Sequence, residues 1–207
     1  MAKAERYVLE NACKYAALAY EDEIENAIKI ESRLTSTTAF VVKRKHNDII
    51  CFRGTQQLRD WLFNLSAIPV PYAGRLCHSG FVAAHASVWG KIKKHIDFDK
   101  PTLICGHSLG GALAELSAAK IHKKHTQLSL VTFGKPNTFI PRLCYGPSVS
   151  QSIIFHANNG DDFVDPSSEL KRRDFMSAKK EAISDHFMPG YKKRLLKFLS
   201  RGKSQNA

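Results

Sequence analysis

Apolar positions fall at helical spacing through residues 5–31, with Tyr7, Val8, Ala12, Tyr15 and Ala19 on one face and charges opposite. Residues 38–44 and 48–52 instead read as two strands joined by the polar turn Lys45-His46-Asn47. Residues 56–65 suggest a short amphipathic helix, and 68–72 an extended segment. Helical spacing returns over 79–95, with Phe81, Ala84, Val88 and Ile92 as the apolar stripe. A strand over 102–105, a helix over 110–124, and strands over 128–133 and 152–155 follow. Residues 189–200 read as a closing basic amphipathic helix, and 201–207 as a frayed tail. Strands alternating with helices predict an α/β fold: a three-layer, mainly parallel sheet with an antiparallel hairpin at its start. No repeat, low-complexity linker or composition break interrupts the pattern, so residues 1–207 are expected to form a single domain.

Chemistry concentrates where the strand over 102–105 meets the helix that follows. The junction reads Gly106-His107-Ser108-Leu109-Gly110-Gly111, a Gly-x-Ser-x-Gly motif between an apolar run and an alanine-rich helical pattern. Strand, sharp turn and helix are the context in which this motif is a nucleophile elbow. Such a turn strains the serine backbone and leaves no room for large side chains two residues either side, a demand that Gly106 and Gly110 meet. It lifts the Ser108 hydroxyl out of the sheet, and the Leu109 N–H points to where an oxyanion would form, with the helix N-terminus adding positive potential.

A serine hydroxyl is a poor nucleophile until a base takes its proton, and the base needs an acid to hold its tautomer. In enzymes built on this elbow the chain order is Ser, then Asp or Glu, then His. Of the nine histidines only His156 and His186 lie well beyond Ser108, and His156 precedes every acid in 161–185. His186 is therefore the candidate base. The acid falls among Asp161, Asp162 and Asp165, after the Asn-Asn-Gly turn of 158–160. Asp162 is preferred, because Val164 two residues on suits a loop anchored in the core. Asp161 remains the rival, and Asp185 beside the histidine reads as a loop residue. A second oxyanion donor should come from a loop after an earlier strand, and Cys51-Phe52-Arg53-Gly54-Thr55 supplies one. Thr55 and Leu109 are the expected donors.

Charge adds a second theme. The 207 residues carry a net charge of +12, and residues 171–203 hold eleven Lys and Arg against three acids. A basic surface attracts nucleic acid, anionic membrane or acidic substrate, and it also serves as a solubilising face. Aromatic residues are not interleaved with the cluster and no nucleic-acid motif is present, so no nucleic-acid partner is expected. The five cysteines are scattered and lack metal spacing, which favours a reducing compartment. Residues 1–20 lack a signal-peptide pattern and no run is long and apolar enough to span a bilayer. The expected location is cytoplasmic, or outside the cell by a route that needs no cleaved signal.

The chain resembles the class 3 lipase family, the fungal-lipase-like acyl hydrolases. The matching pieces, in order, are Phe52-Arg53-Gly54-Thr55, Leu58-Arg59-Asp60-Trp61-Leu62, His78-Ser79-Gly80-Phe81, the elbow through Ala114, Thr132-Phe133-Gly134-Lys135-Pro136, Asp162-Phe163-Val164 and His186. The resemblance covers roughly residues 35–190. It implies an α/β-hydrolase fold and hydrolysis of acylglycerol or phospholipid esters without metal or organic cofactor. It assigns Ser108, Asp162 and His186 to a triad, and Thr55 and Leu109 to an oxyanion hole. Residues 56–65 take the place of the family's lid, with Leu58, Trp61, Leu62 and Leu65 as its apolar face, either mobile or permanently docked. The sequence departs from the family at Asp165, which stands where a proline usually follows the Asp-x-Val. The basic C-terminal region tilts the expected substrate toward anionic phospholipid and adds an anionic membrane surface as a partner. The alternative reading is a silent lipid- or membrane-binding protein on a hydrolase scaffold.

Overall fold

The structure is a computed structural model, and it describes residues 3–55, 68–122, 124–125, 127–139 and 153–157. Helix α1 spans Lys3–Leu18 and buries Leu9, Ala12, Cys13 and Ala16 at helical spacing, whereas Tyr7 is exposed, contrary to its expected place on the apolar face. The helical reading of 5–31 is also too long. Asn26 takes a left-handed φ of 57°, which no helix continues through, and Ala27–Ser32 is strand β1. Within it Ile30 is buried while its neighbours Lys29 and Glu31 face out, a period of two rather than 3.6.

Strands β2 (Thr37–Lys43) and β3 (Asp48–Phe52) follow, each antiparallel to its predecessor. The sheet therefore opens with three antiparallel strands where a two-stranded hairpin was expected. Strands β4 (Pro69–Tyr72) and β5 (Arg75–His78) form a separate two-stranded hairpin. Its two-residue loop has positive φ at both Ala73 (50°) and Gly74 (79°), the twist that closes a tight hairpin. Pro69 and Pro71 fit there because neither flank of so small a sheet demands every N–H.

Helix α2 (Ser79–Ile92) buries Phe81, Ala84, Val88 and Ile92, the expected stripe, together with His85. Strand β6 (Thr102–His107) leads into helix α3 (Leu109–Ile121), and strands β7 (Leu128–Phe133) and β8 (Ile153–Ala157) complete the main sheet. Its order is β1-β2-β3-β6-β7-β8, with β3, β6, β7 and β8 mutually parallel.

Alternation along these strands divides the core into two layers. Phe40, Ile49, Cys51, Leu103, Cys105, Val131 and Phe133 pack against α1. Ala39, Val41, Ile50, Phe52, Ile104, Leu128 and Leu130 pack against α2 and α3. Both faces are covered, so β3 and β6 are buried along their whole length and read as near-continuous apolar runs. Cys51 and Cys105 are register partners in this wall, and burial pushes the Cys51 thiol up to about 12. It acts as a small hydrophobe. No described helix is long and apolar enough to cross a membrane.

Candidate active site

The sheet delivers Ser108 at the carboxyl end of β6, in the one-residue junction with α3. Its backbone sits at φ 56° and ψ −127°, a conformation that costs a non-glycine residue on the order of 1–3 kcal/mol. Three main-chain hydrogen bonds hold it there. Ser108 N–H donates to the Phe133 carbonyl at 2.9 Å, and the Ser108 carbonyl accepts from Gly111 N–H at 2.9 Å and Ala112 N–H at 3.3 Å. Parallel pairing of β6 with β7 thus locks the strained residue. The side chain is buried, and its Oγ has no hydrogen-bond partner among the described residues.

The glycines make this junction possible by close approach. A Cβ on Gly106 would strike the backbone of Gly110, and one on Gly110 would strike the Phe52 carbonyl at the end of β3. The first turn of α3 therefore lies directly on the end of β3. This brings Leu109, the first residue of α3, and Thr55, in the loop after β3, into the lining of one cleft. Behind the turn, Glu115 of α3 and Lys135 form a buried ion pair at 3.1 Å, and Gly111 leaves space for the Lys135 side chain.

One further residue of this site was invisible to sequence reasoning. Tyr20, in the turn after α1, places its hydroxyl 2.6 Å from His107 Nδ1 and fills the space a side chain at Gly54 would need. The His107 carbonyl lies on the same side of Gly54. Tyr20 thus ties the residue before Ser108 to the residue before Thr55. Burial pushes its phenol well above the usual range, with Arg53 pulling weakly the other way, so it stays a neutral hydrogen-bonding group. The only available hint was a glycine in Arg-Gly-Thr, which signals close approach without naming what approaches.

Of the residues expected from the sequence, Ser108, Leu109 and Thr55 come together at this edge. Asp162, Asp161 and His186, and the lid residues Leu58, Trp61, Leu62 and Leu65, lie outside the described residues, as do Cys144 and the basic helix over 189–200. Strand β8 is parallel to β7, so its carboxyl end at Ala157 lies on the same sheet edge as the elbow.

A buried Ser–His contact lies between α2 and α3, away from the elbow. His85 Nε2 is 2.9 Å from Ser117 Oγ, and its Nδ1 is 2.9 Å from the Tyr72 hydroxyl. Ser117 Oγ donates to the Leu113 carbonyl at 3.0 Å, so it accepts from Nε2–H, and Nδ1 is left to accept from Tyr72. The ring stacks on Trp89 with centroids 4.9 Å apart. Burial lowers its pKa to about 3, with Lys120 acting in the same direction. His85 is a neutral strut.

Solved structures share this architecture. A lipase from Rhizopus microsporus var. chinensis superposes with a TM-score of 0.66 at 21% identity, covering 88% of this chain and 77% of that one. The fold is therefore the α/β-hydrolase fold. In sequence, a lipase of Rhizomucor miehei is 31% identical over 133 residues, covering 55% of this chain and 36% of that relative. The secreted mono- and diacylglycerol lipase 1 of Fusarium solani is 33% identical over 128 residues, covering 56% and 38%. The chain thus spans little more than a third of the length of the curated relatives it matches. Residues 49–168, more than half of the chain and including β3, the elbow and β8, match the class 3 lipases, and the chain belongs to that family.

Proposed function

We propose that the chain is a serine carboxylic-ester hydrolase acting on lipid acyl esters, in the lipase or phospholipase A1 range. The observation that carries this reading is Ser108. A strained backbone is fixed by three main-chain hydrogen bonds, and the hydroxyl it presents has no partner among the described residues. Strain maintained at that expense, at the carboxyl edge of a parallel sheet, is what a preorganised nucleophile requires.

In the proposed mechanism His186 takes the Ser108 proton as Oγ bonds to the ester carbonyl carbon, and Asp162 stabilises the imidazolium. The N–H groups of Thr55 and Leu109 donate to the developing oxyanion. The carbon–oxygen bond to the alcohol then breaks, and His186 returns the proton to the departing oxygen. Water repeats the sequence on the acyl-enzyme and restores Ser108. Leu58, Trp61, Leu62 and Leu65 form the lid face in this reading, and the basic region over 171–203 favours anionic phospholipid and an anionic membrane surface.

The test is hydrolysis of short-chain p-nitrophenyl esters and defined phospholipids by wild type and Ser108→Ala. Loss of the nucleophile should cost about 10⁴–10⁶-fold in kcat. A correctly folded variant retaining more than a few per cent of the activity would overturn the assignment.

A further inference from the structure

The cleft that contains Thr55 and Leu109 has a volume of about 520 Å³, within the range of small-molecule sites. Topology accounts for its position. Strand β2 is antiparallel to both β1 and β3, and β3 is parallel to β6, so the β1–β2 turn stands on the same sheet edge as the elbow. Ligands of parallel α/β sheets bind along that edge. The walls are formed by this turn, through Arg33, Ser36 and Thr37, and by the β3 loop, through Arg53 and Thr55.

Leu109 is the one apolar side chain among the described lining residues. The other side chains of the described lining are hydroxyls and charges, which suit the polar alcohol part of an ester whose carbonyl sits between Thr55 and Leu109. Two guanidinium groups then decide which alcohol. Arg33 is exposed in the turn, and the ion pair of Arg53 among the described residues is with the solvent-exposed Asp22, at 3.7 Å, a pairing that contributes little and yields to a better partner. Glu31, the acid at the rim, is paired with Lys29 at 2.9 Å; that hydrogen bond, chiefly, and more weakly the Arg33 charge hold its carboxyl below the usual range. The cleft is therefore cationic and rich in hydroxyls, and arginine forks bind phosphate oxygens.

We propose that this cleft holds the leaving alcohol of the substrate and that Arg33 and Arg53 select an alcohol bearing a phosphate, as in 1-acyl-glycerol 3-phosphate and phospholipids. The proposal rests on Ser108 as the acyl-accepting group. The alcohol takes up the proton that Ser108 gives up and departs with its phosphate; no redox change occurs.

The experiment compares kcat/KM for three monomeric esters of one short acyl chain: a monoacylglycerol, the corresponding lysophosphatidate and the corresponding lysophosphatidylcholine. Wild type should prefer the phosphate-bearing esters by about tenfold or more, the value of a charge-assisted contact. Arg33→Gln should cut the ratio of phosphate-bearing to neutral ester by about tenfold. With wild type alone, glycerol 3-phosphate should compete with the neutral ester. Preference for the monoester alone assigns the cleft to a terminal phosphate, and preference for the diester as well assigns it to a phospholipid headgroup; either supports the proposal. Hydrolysis of the neutral ester with no phosphate preference and no competition by glycerol 3-phosphate would overturn it and leave the hydrolase reading standing. No hydrolysis of any ester, with Ser108 inert to a fluorophosphonate, would overturn both.

Discussion

Two places in this molecule bring a buried serine close to a histidine and a tyrosine, and they are opposites. At the elbow, Ser108 is strained, its hydroxyl lacks a partner among the described residues, and His107 beside it is engaged by Tyr20. Between α2 and α3, Ser117 and His85 are joined at 2.9 Å, and every polar atom of the Tyr72–His85–Ser117 chain is satisfied. By distance alone the second site looks like the catalytic dyad. Physically it is the reverse, because a histidine with a pKa near 3 accepts no proton at neutral pH, and a serine bonded into its own helix has none to spare. Proximity makes a buried polar cluster stable. Reactivity needs a group held ready without being satisfied.

The comparison is sharpened most by exchanging the histidines. His186→Ala should lower kcat on a soluble ester by about 10⁴–10⁶-fold, as loss of one member of a cooperating unit does. His85→Asn should lower stability and leave turnover at the same order of magnitude, measured on protein shown to be folded by circular dichroism. A large loss of kcat in folded His85→Asn, with His186→Ala active, would invert the account.

The acid gives the next largest effect. Asp162→Asn should cost about 10⁴-fold in kcat, since only the carboxylate facing the imidazole sets its tautomer, whereas Asp161→Asn should stay within about tenfold. The reverse ranking would transfer the role to Asp161.

Tyr20→Phe keeps the ring against Gly54 and removes only the hydrogen bond to His107. Its expected signature is a fall of about tenfold in kcat with KM little changed, because the elbow and the Thr55 loop lose their shared brace. A raised KM with unchanged kcat would count against a positioning role.

The last effect is on stability rather than turnover, and it concerns pH. His85 binds a proton near pH 6.5 when unfolded but only near pH 3 when folded. Between those values the unfolded state holds more protons, so the stability contributed by the neutral strut is present above about pH 6.5 and lost as pH falls toward 3. The slope is about 1.4 kcal/mol per pH unit for one proton. Denaturant unfolding at pH 6 and pH 4.5 should show a shallower loss in His85→Asn than in wild type.

What the sequence disclosed, and what it hid, follows the range of the interactions involved. The elbow was legible because its constraints are local: strand, two glycines and helix all lie within about ten residues of Ser108. The α2 stripe was legible for the same reason, since Phe81, Ala84, Val88 and Ile92 share one period. Strand β1 was hidden behind a helical pattern carried too far, although Asn26 and the alternation around Ile30 marked the change. Tyr20 could not be found at all, because its partner lies 87 residues away and is reached only once α1 packs beneath the elbow. The His85 strut is equally non-local, joining a hairpin, α2 and α3. Local periodicity predicts elements, while sites are completed by contacts that only the assembled layers create.

The central claim, that the strained serine and not the satisfied one is reactive, is tested most directly by mapping a fluorophosphonate adduct by mass spectrometry. One phosphonylated residue is expected, Ser108, with no adduct on Ser117 and none on Ser108 in the His186→Ala variant. An adduct on Ser117, or an unlabelled Ser108 in folded wild-type protein, would contradict it.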